Sequence, residues 1–139
     1  MDATAILQPV IVMGLLSVAM TIWMYATRIP AMAKAGIDPQ EAADTGELKG
    51  LPPEVVRVAD NYNHLFEQPT LFYAIALAVA VLGHVDTLHV ACAWAFTGLR
   101  IVHSLVQATV NRVTIRFGIF SLSWMALAIM IFREALALF

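Results

Sequence analysis

"RVADNYNHLFEQPTLFYAIALAVAVLG", residues 57 to 83, changes character halfway along. Up to Glu67 it holds an arginine, an aspartate, two asparagines, a histidine and a glutamate; after Pro69 it is almost continuously apolar. The apolar half suits lipid, whereas each charged group at bilayer depth costs about 2.5–3.5 kcal/mol even on the gentler insertion scales. One reading accommodates both halves: a membrane-spanning helix whose polar side is turned inward, away from lipid.

The rest of the chain agrees. Of its 139 residues, 60% are hydrophobic and only 13% charged, and the mean hydropathy is +0.78. Soluble domains carry roughly a quarter charged residues, so the composition is that of a membrane protein. Spans of about 20 apolar residues are the natural unit of count, and four fit, at about 4–28, 53–82, 87–110 and 115–138. The fold expected is an all-α integral membrane four-helix bundle forming a single domain over 1–139. The N-terminal run opens with an acid rather than a basic segment and is longer than a signal core, so it is expected to be a retained span.

Between spans one and two, "PAMAKAGIDPQEAADTGELKGLP", residues 30 to 52, is rich in Pro, Gly and charge and reads as one long loop. "GHVD", residues 83 to 86, is a tight turn. Pro53 suits the first turn of a helix, where its missing N–H would be unpaired anyway. Arg28, Lys34, Lys49, Arg57, Arg112 and Arg116 gather on the side of the long loop, and only Arg133 lies near the other. By the excess of basic residues on cytoplasmic loops, the loop is expected in the cytoplasm and both termini outside it.

A net charge of −2 and an absence of basic runs speak against nucleic acid. The single cysteine, Cys92, excludes an intrachain disulfide. His64, His84, His89 and His103 do not converge on a metal, because two of them fall at the opposite membrane face. Ser104 lacks the positioned base and acid of acyl-transfer chemistry.

Polar stripes mark spans two and three. Arg57, Asp60, Asn61, His64 and Glu67 recur at steps of three and four, as do Arg100, His103, Ser104, Gln107 and Asn111, so each set shares a helical face. At about 1.5 Å per residue, Glu67 lies roughly 20 Å in from the cytoplasmic side and Arg100 roughly 16 Å. The matching depths predict a Glu67–Arg100 ion pair, as a structural latch or as the floor of a polar cavity. Nearer the cytoplasm, Arg57, His103, Arg112 and Arg116 with Asn61, Asn63 and Gln107 compose a pocket for a small anionic, peptide-like ligand: guanidiniums for carboxylates, amides for amides.

Four spans, a long first loop, "RVADNYN" and "RIVHSLVQATVNRVTIRF" at 100–117 together resemble the MAPEG family, the membrane-associated proteins of eicosanoid and glutathione metabolism, in a bacterial-type member. The third-span spacing, met by Arg100, His103, Ser104, Arg112 and Arg116, is its most specific part. The resemblance implies a homotrimer in the inner membrane, with glutathione bound between subunits near the cytoplasmic face and a lipophilic second substrate arriving from membrane lipid. The activity implied is that of a glutathione-dependent transferase or peroxidase using no metal. Arg116 is the implied thiolate-stabilising residue, and Arg57, Asn61, Asn63, Glu67, Arg100, His103, Gln107 and Arg112 the implied glutathione-binding set. His64 stands where the family has an acid, with Glu67 three residues later; Gln107, Phe117 and Phe120 replace hydroxyl residues of several family enzymes. The rival expectation is a non-enzymatic member that binds lipid or a partner membrane protein. A transporter has less support, since the chain shows too few repeats.

Overall fold

The structure is a computed structural model describing residues 1–40, 42 and 47–139. Its order is α1 (Thr4–Ala35), a 3-10 turn (Glu47–Gly50), α2 (Pro53–His64), α3 (Gln68–Leu82), α4 (Thr87–Ala108) and α5 (Val113–Leu138), with no strand among the described residues. The expected all-α four-helix architecture is what forms. Thr4–Ala35, Pro53–Leu82 taken through its interruption, Thr87–Ala108 and Val113–Leu138 are each long and apolar enough to cross a membrane.

Two limits differ from expectation. The first helix does not stop at residue 28 but continues through Pro30 to Ala35. The residues after Pro30, "AMAKA", are strong helix formers, so the helix resumes around the one hydrogen bond that the proline cannot give. Gly36 then ends it with φ +67°, and the N–H groups of Gly36 and Ile37 return to Ala33 and Met32 at 3.3 and 3.1 Å. This closure needs a left-handed residue, which glycine supplies without a Cβ penalty. The expected loop therefore loses its first six residues; its stretch at 41 and 43–46, and the side chain of Lys49, lie outside the described residues.

The second departure decides the site. Span two is broken: α2 ends at His64 and α3 begins at Gln68. In a continuous helix the Pro69 ring would collide with the Leu65 carbonyl and leave it without a donor. The chain instead tightens, with Phe66 N–H donating to Asn63 O at 3.0 Å and Glu67 N–H to His64 O at 3.4 Å. Glu67 leaves helical geometry at φ −95°, ψ −98°.

α4 is the central helix, packing against α1, α2 and α5. Its buried residues are His89, Cys92, Ala93, Phe96, Thr97, Arg100, His103, Ser104, Gln107 and Ala108, a run of three- and four-residue steps. The polar stripe read on span three is thus the inner face of the bundle. Toward the other end the core is apolar, with Phe72 stacked on Phe96 at a centroid distance of 4.4 Å. Lipid tails are as apolar as these side chains, so such contacts stabilise mainly through packing rather than transfer from water.

One end of the bundle gathers the N-terminus, the α3–α4 turn and the end of α5. The Met1 ammonium donates to Val85 O at 3.0 Å, His84 Nδ1 lies 2.9 Å from Glu134 Oε2, and Arg133 pairs with Asp86. The α4–α5 turn and the start of α2 form the other end, joined by the Arg57 guanidinium donating to Thr109 O.

Candidate functional site

The break in span two changes which residue meets Arg100. Arg100 is wholly buried, at 0% exposure, and donates from Nη1 to Gln68 Oε1 at 3.4 Å and from Nη2 to His64 O at 3.2 Å. Gln68 Oε1 also accepts from Ser123 Oγ on α5 at 3.1 Å. The guanidinium lies 5.9 Å from the Phe120 ring centroid, within reach of a cation–π attraction. No carboxylate among the described residues pairs with it.

The expected Glu67–Arg100 ion pair is therefore corrected. The Glu67 side chain is 66% exposed and pairs with His64, its Oε2 lying 2.8 Å from His64 Nδ1. Unwinding at 65–67 turns Glu67 outward and brings Gln68, first residue of α3, to the inner face in its place. An uncharged amide and a carbonyl surround the cation. The latch exists, but between α3, α4 and α5 through Gln68 and Ser123.

Beside it lies a cavity of about 210 Å³ lined by His64, His103, Val113, Arg116, Phe117 and Phe120. His64 and His103 face each other at 5.2 Å between ring centroids, and His64 lies 5.4 Å from Phe120. These rings come from α2, α4 and α5, so the cavity exists only when the three helices are packed. Arg116 is held by Asn111, whose amide oxygen accepts from its Nη1. Asn111 has φ +50°, a conformation that asparagine tolerates better than most residues, and it thereby joins the α4–α5 turn to the first turn of α5.

The remaining residues divide. Asn61, Ser104 and Gln107 are buried, and Asn61 Oδ1 and Nδ2, Ser104 Oγ and Gln107 Oε1 have no partner among the described residues. Each buried group left so costs about 1–3 kcal/mol, and these atoms, closed off inside the bundle, line no part of the cavity. Arg57 is committed to the α4 terminus through Thr109 and to Pro53 O at 3.2 Å. Asn63 and Arg112 are exposed and line no part of the cavity.

A model of the MAPEG family matches residues 6–136. The chain belongs to the MAPEG family. No curated protein and no solved structure reaches a significant match. With four helices able to cross a bilayer, this MAPEG chain is a multi-pass membrane protein, and the family contains glutathione-dependent transferases as well as non-enzymatic members.

The sequence reading missed Gln68 and Ser123 at this candidate site, and the way His64 is held; it singled out Phe120, but not as a neighbour of Arg100 and His64. Pro69 was the available signal, because a proline inside a helical pattern ends or kinks the helix before it. Ser123 carried no such mark. Nothing in an apolar span tells which of its turns will face Arg100.

Proposed function

We propose that this chain is a glutathione-dependent membrane transferase or peroxidase acting on lipophilic electrophiles. In this reading it works as a homotrimer, with glutathione between neighbouring subunits near the cytoplasmic face and both termini on the other side. The observation that carries the reading is the cavity that Arg116 lines together with His64, His103, Val113, Phe117 and Phe120. A thiol ionises near pH 8.5 in water, and an adjacent fixed cation raises its thiolate fraction at neutral pH. The exposed Phe117 and Val113 beside it give a lipophilic electrophile an apolar approach.

The deciding experiment follows conjugation of glutathione to a chlorinated nitrobenzene by the purified protein and by Arg116→Ala. Loss of a preorganised charge at the reacting atom lowers kcat/KM by about 100-fold. Equal rates, or no conjugation by the unaltered protein, would remove the role assigned to Arg116.

The second reading is a non-enzymatic member in which the polar stripes serve assembly with copies of itself, a partner membrane protein or lipid. The commitment of Arg57 and Arg100 to contacts within the chain favours it. In that case glutathione leaves the unfolding temperature unchanged.

A further inference from the structure

His64 is fixed on one side and open on the other. Its Nδ1 meets the Glu67 carboxylate at 2.8 Å; an ionised carboxylate only accepts, so Nδ1 carries the proton and Nε2 holds the lone pair. Nε2 has no partner among the described residues, and the ring forms part of the same cavity wall as Arg116. His103 and Phe120, at 5.2 and 5.4 Å between centroids, pack against the ring. The rest of the wall supplies no comparable base. Val113, Phe117 and Phe120 have no proton acceptor, Arg116 is a cation, and His103, at 2% exposure, has no carboxylate partner among the described residues to balance an imidazolium.

We propose that His64, oriented by Glu67, is the catalytic proton acceptor for a thiol held against Arg116. This rests on the functional reading above and adds to it a residue that Arg116 cannot replace, because a cation favours the thiolate without receiving its proton. In the step, the S–H bond breaks, its proton passes to His64 Nε2, and the electron pair stays on sulfur opposite the guanidinium. The thiolate attacks the ring carbon of a chlorinated nitroarene, a C–S bond forms, and chloride leaves with the electron pair of the C–Cl bond. His64 then returns its proton to water.

The groups facing His64 are Arg100 and His103 from α4, Arg116 from α5 and Glu67 from the break in span two. Of these Glu67 carries the negative charge, and it balances the imidazolium formed in the step. The break at 65–67 thus has a chemical use: it brings Glu67 back onto Nδ1 of the preceding turn.

The test measures, on purified protein in detergent, glutathione binding by calorimetry and the bound thiolate by its ultraviolet absorbance across pH. The unaltered protein, His64→Gln and Glu67→Gln are compared. Expected are retained binding in all three, a fall of about 10-fold or more in thiolate at neutral pH for His64→Gln, and one of about 5-fold for Glu67→Gln, whose amide accepts from Nδ1 but lacks the charge. If His64→Gln binds glutathione and ionises it as the unaltered protein does, the proposal is wrong while the functional reading stands. If the unaltered protein binds no glutathione, the functional reading falls and this proposal with it. Should His64→Gln not fold, Glu67→Gln, altered at an exposed position, decides: an unchanged thiolate titration overturns the proposal and the 5-fold fall supports it.

Discussion

Arg100 illustrates how one buried cation can be stabilised without an ion pair. Its guanidinium sits at 0% exposure with an amide oxygen, a backbone carbonyl and an aromatic face around it. Removing a hydrogen-bond partner from a buried charge costs about 1.5–3 kcal/mol, whereas exposed substitutions usually stay within about 0.5 kcal/mol. Gln68→Ala is therefore expected to lower the unfolding temperature in detergent clearly, and Glu67→Gln to leave it nearly unchanged. The reverse order would restore Glu67 as the partner of Arg100. Residue identity at 67 and 68 was plain in the sequence, but the choice between them depended on an unwound turn that residue types alone did not place.

At the scale of the element, helix ends matter most. α3 stops at Gly83, with φ +74°, and the N–H groups of Gly83 and His84 return to Ala80 and Val79 at 3.3 and 3.1 Å. A Cβ in this left-handed region costs about 1–2 kcal/mol, so Gly83→Ala is expected to lower stability by about that amount in thermal or denaturant unfolding, although open space surrounds the site. The next helix begins with Asp86, whose side chain accepts from the His89 N–H at 2.8 Å. That hydrogen bond, with smaller contributions from His89 and Arg133, holds the Asp86 carboxyl below its ordinary range. A depressed carboxylate pKa adds stability above the unfolded value of about 3.9 and loses it as pH falls through the folded value. Asp86→Asn, which keeps an N-cap oxygen, is expected to flatten the decline of unfolding temperature below about pH 4; an equally steep decline would show that Asp86 does not contribute to it. The helices themselves were legible from hydropathy. The break at 65–67 was marked only by Pro69 and the extension of α1 past Pro30 not at all, because one proline ended a helix and the other did not.

For the molecule as a whole, the termini are tied to one end of the bundle by Met1–Val85 and His84–Glu134, so they share a side of the membrane in the packed chain. By the positive-inside rule the basic residues of the other end predict a cytoplasmic position for that side. Reporter fusions at either terminus are expected to be active outside the cytoplasm and inactive within it. Opposite outcomes at the two ends would contradict the packing, and two cytoplasmic termini would contradict the charge rule. His89, buried beside Glu134 with Nε2 and Oε1 3.4 Å apart, was not foreseen in this end cluster, since its partner is 45 residues away in sequence.

By itself the sequence determined the class of protein: four spans, their approximate limits, the inward face of span three and membership of a family whose spacing Arg100, His103, Ser104, Arg112 and Arg116 meet. Hydropathy and helical period are local properties, and lipid enforces them on every residue it touches. Only the tertiary structure decided that Gln68 rather than Glu67 holds Arg100, that Glu67 orients His64 instead, and that His64, His103, Arg116 and Phe120 enclose one cavity. Those facts depend on where three helices meet and on which turn Pro69 unwinds, and distances between helices are not encoded in the period of any one of them.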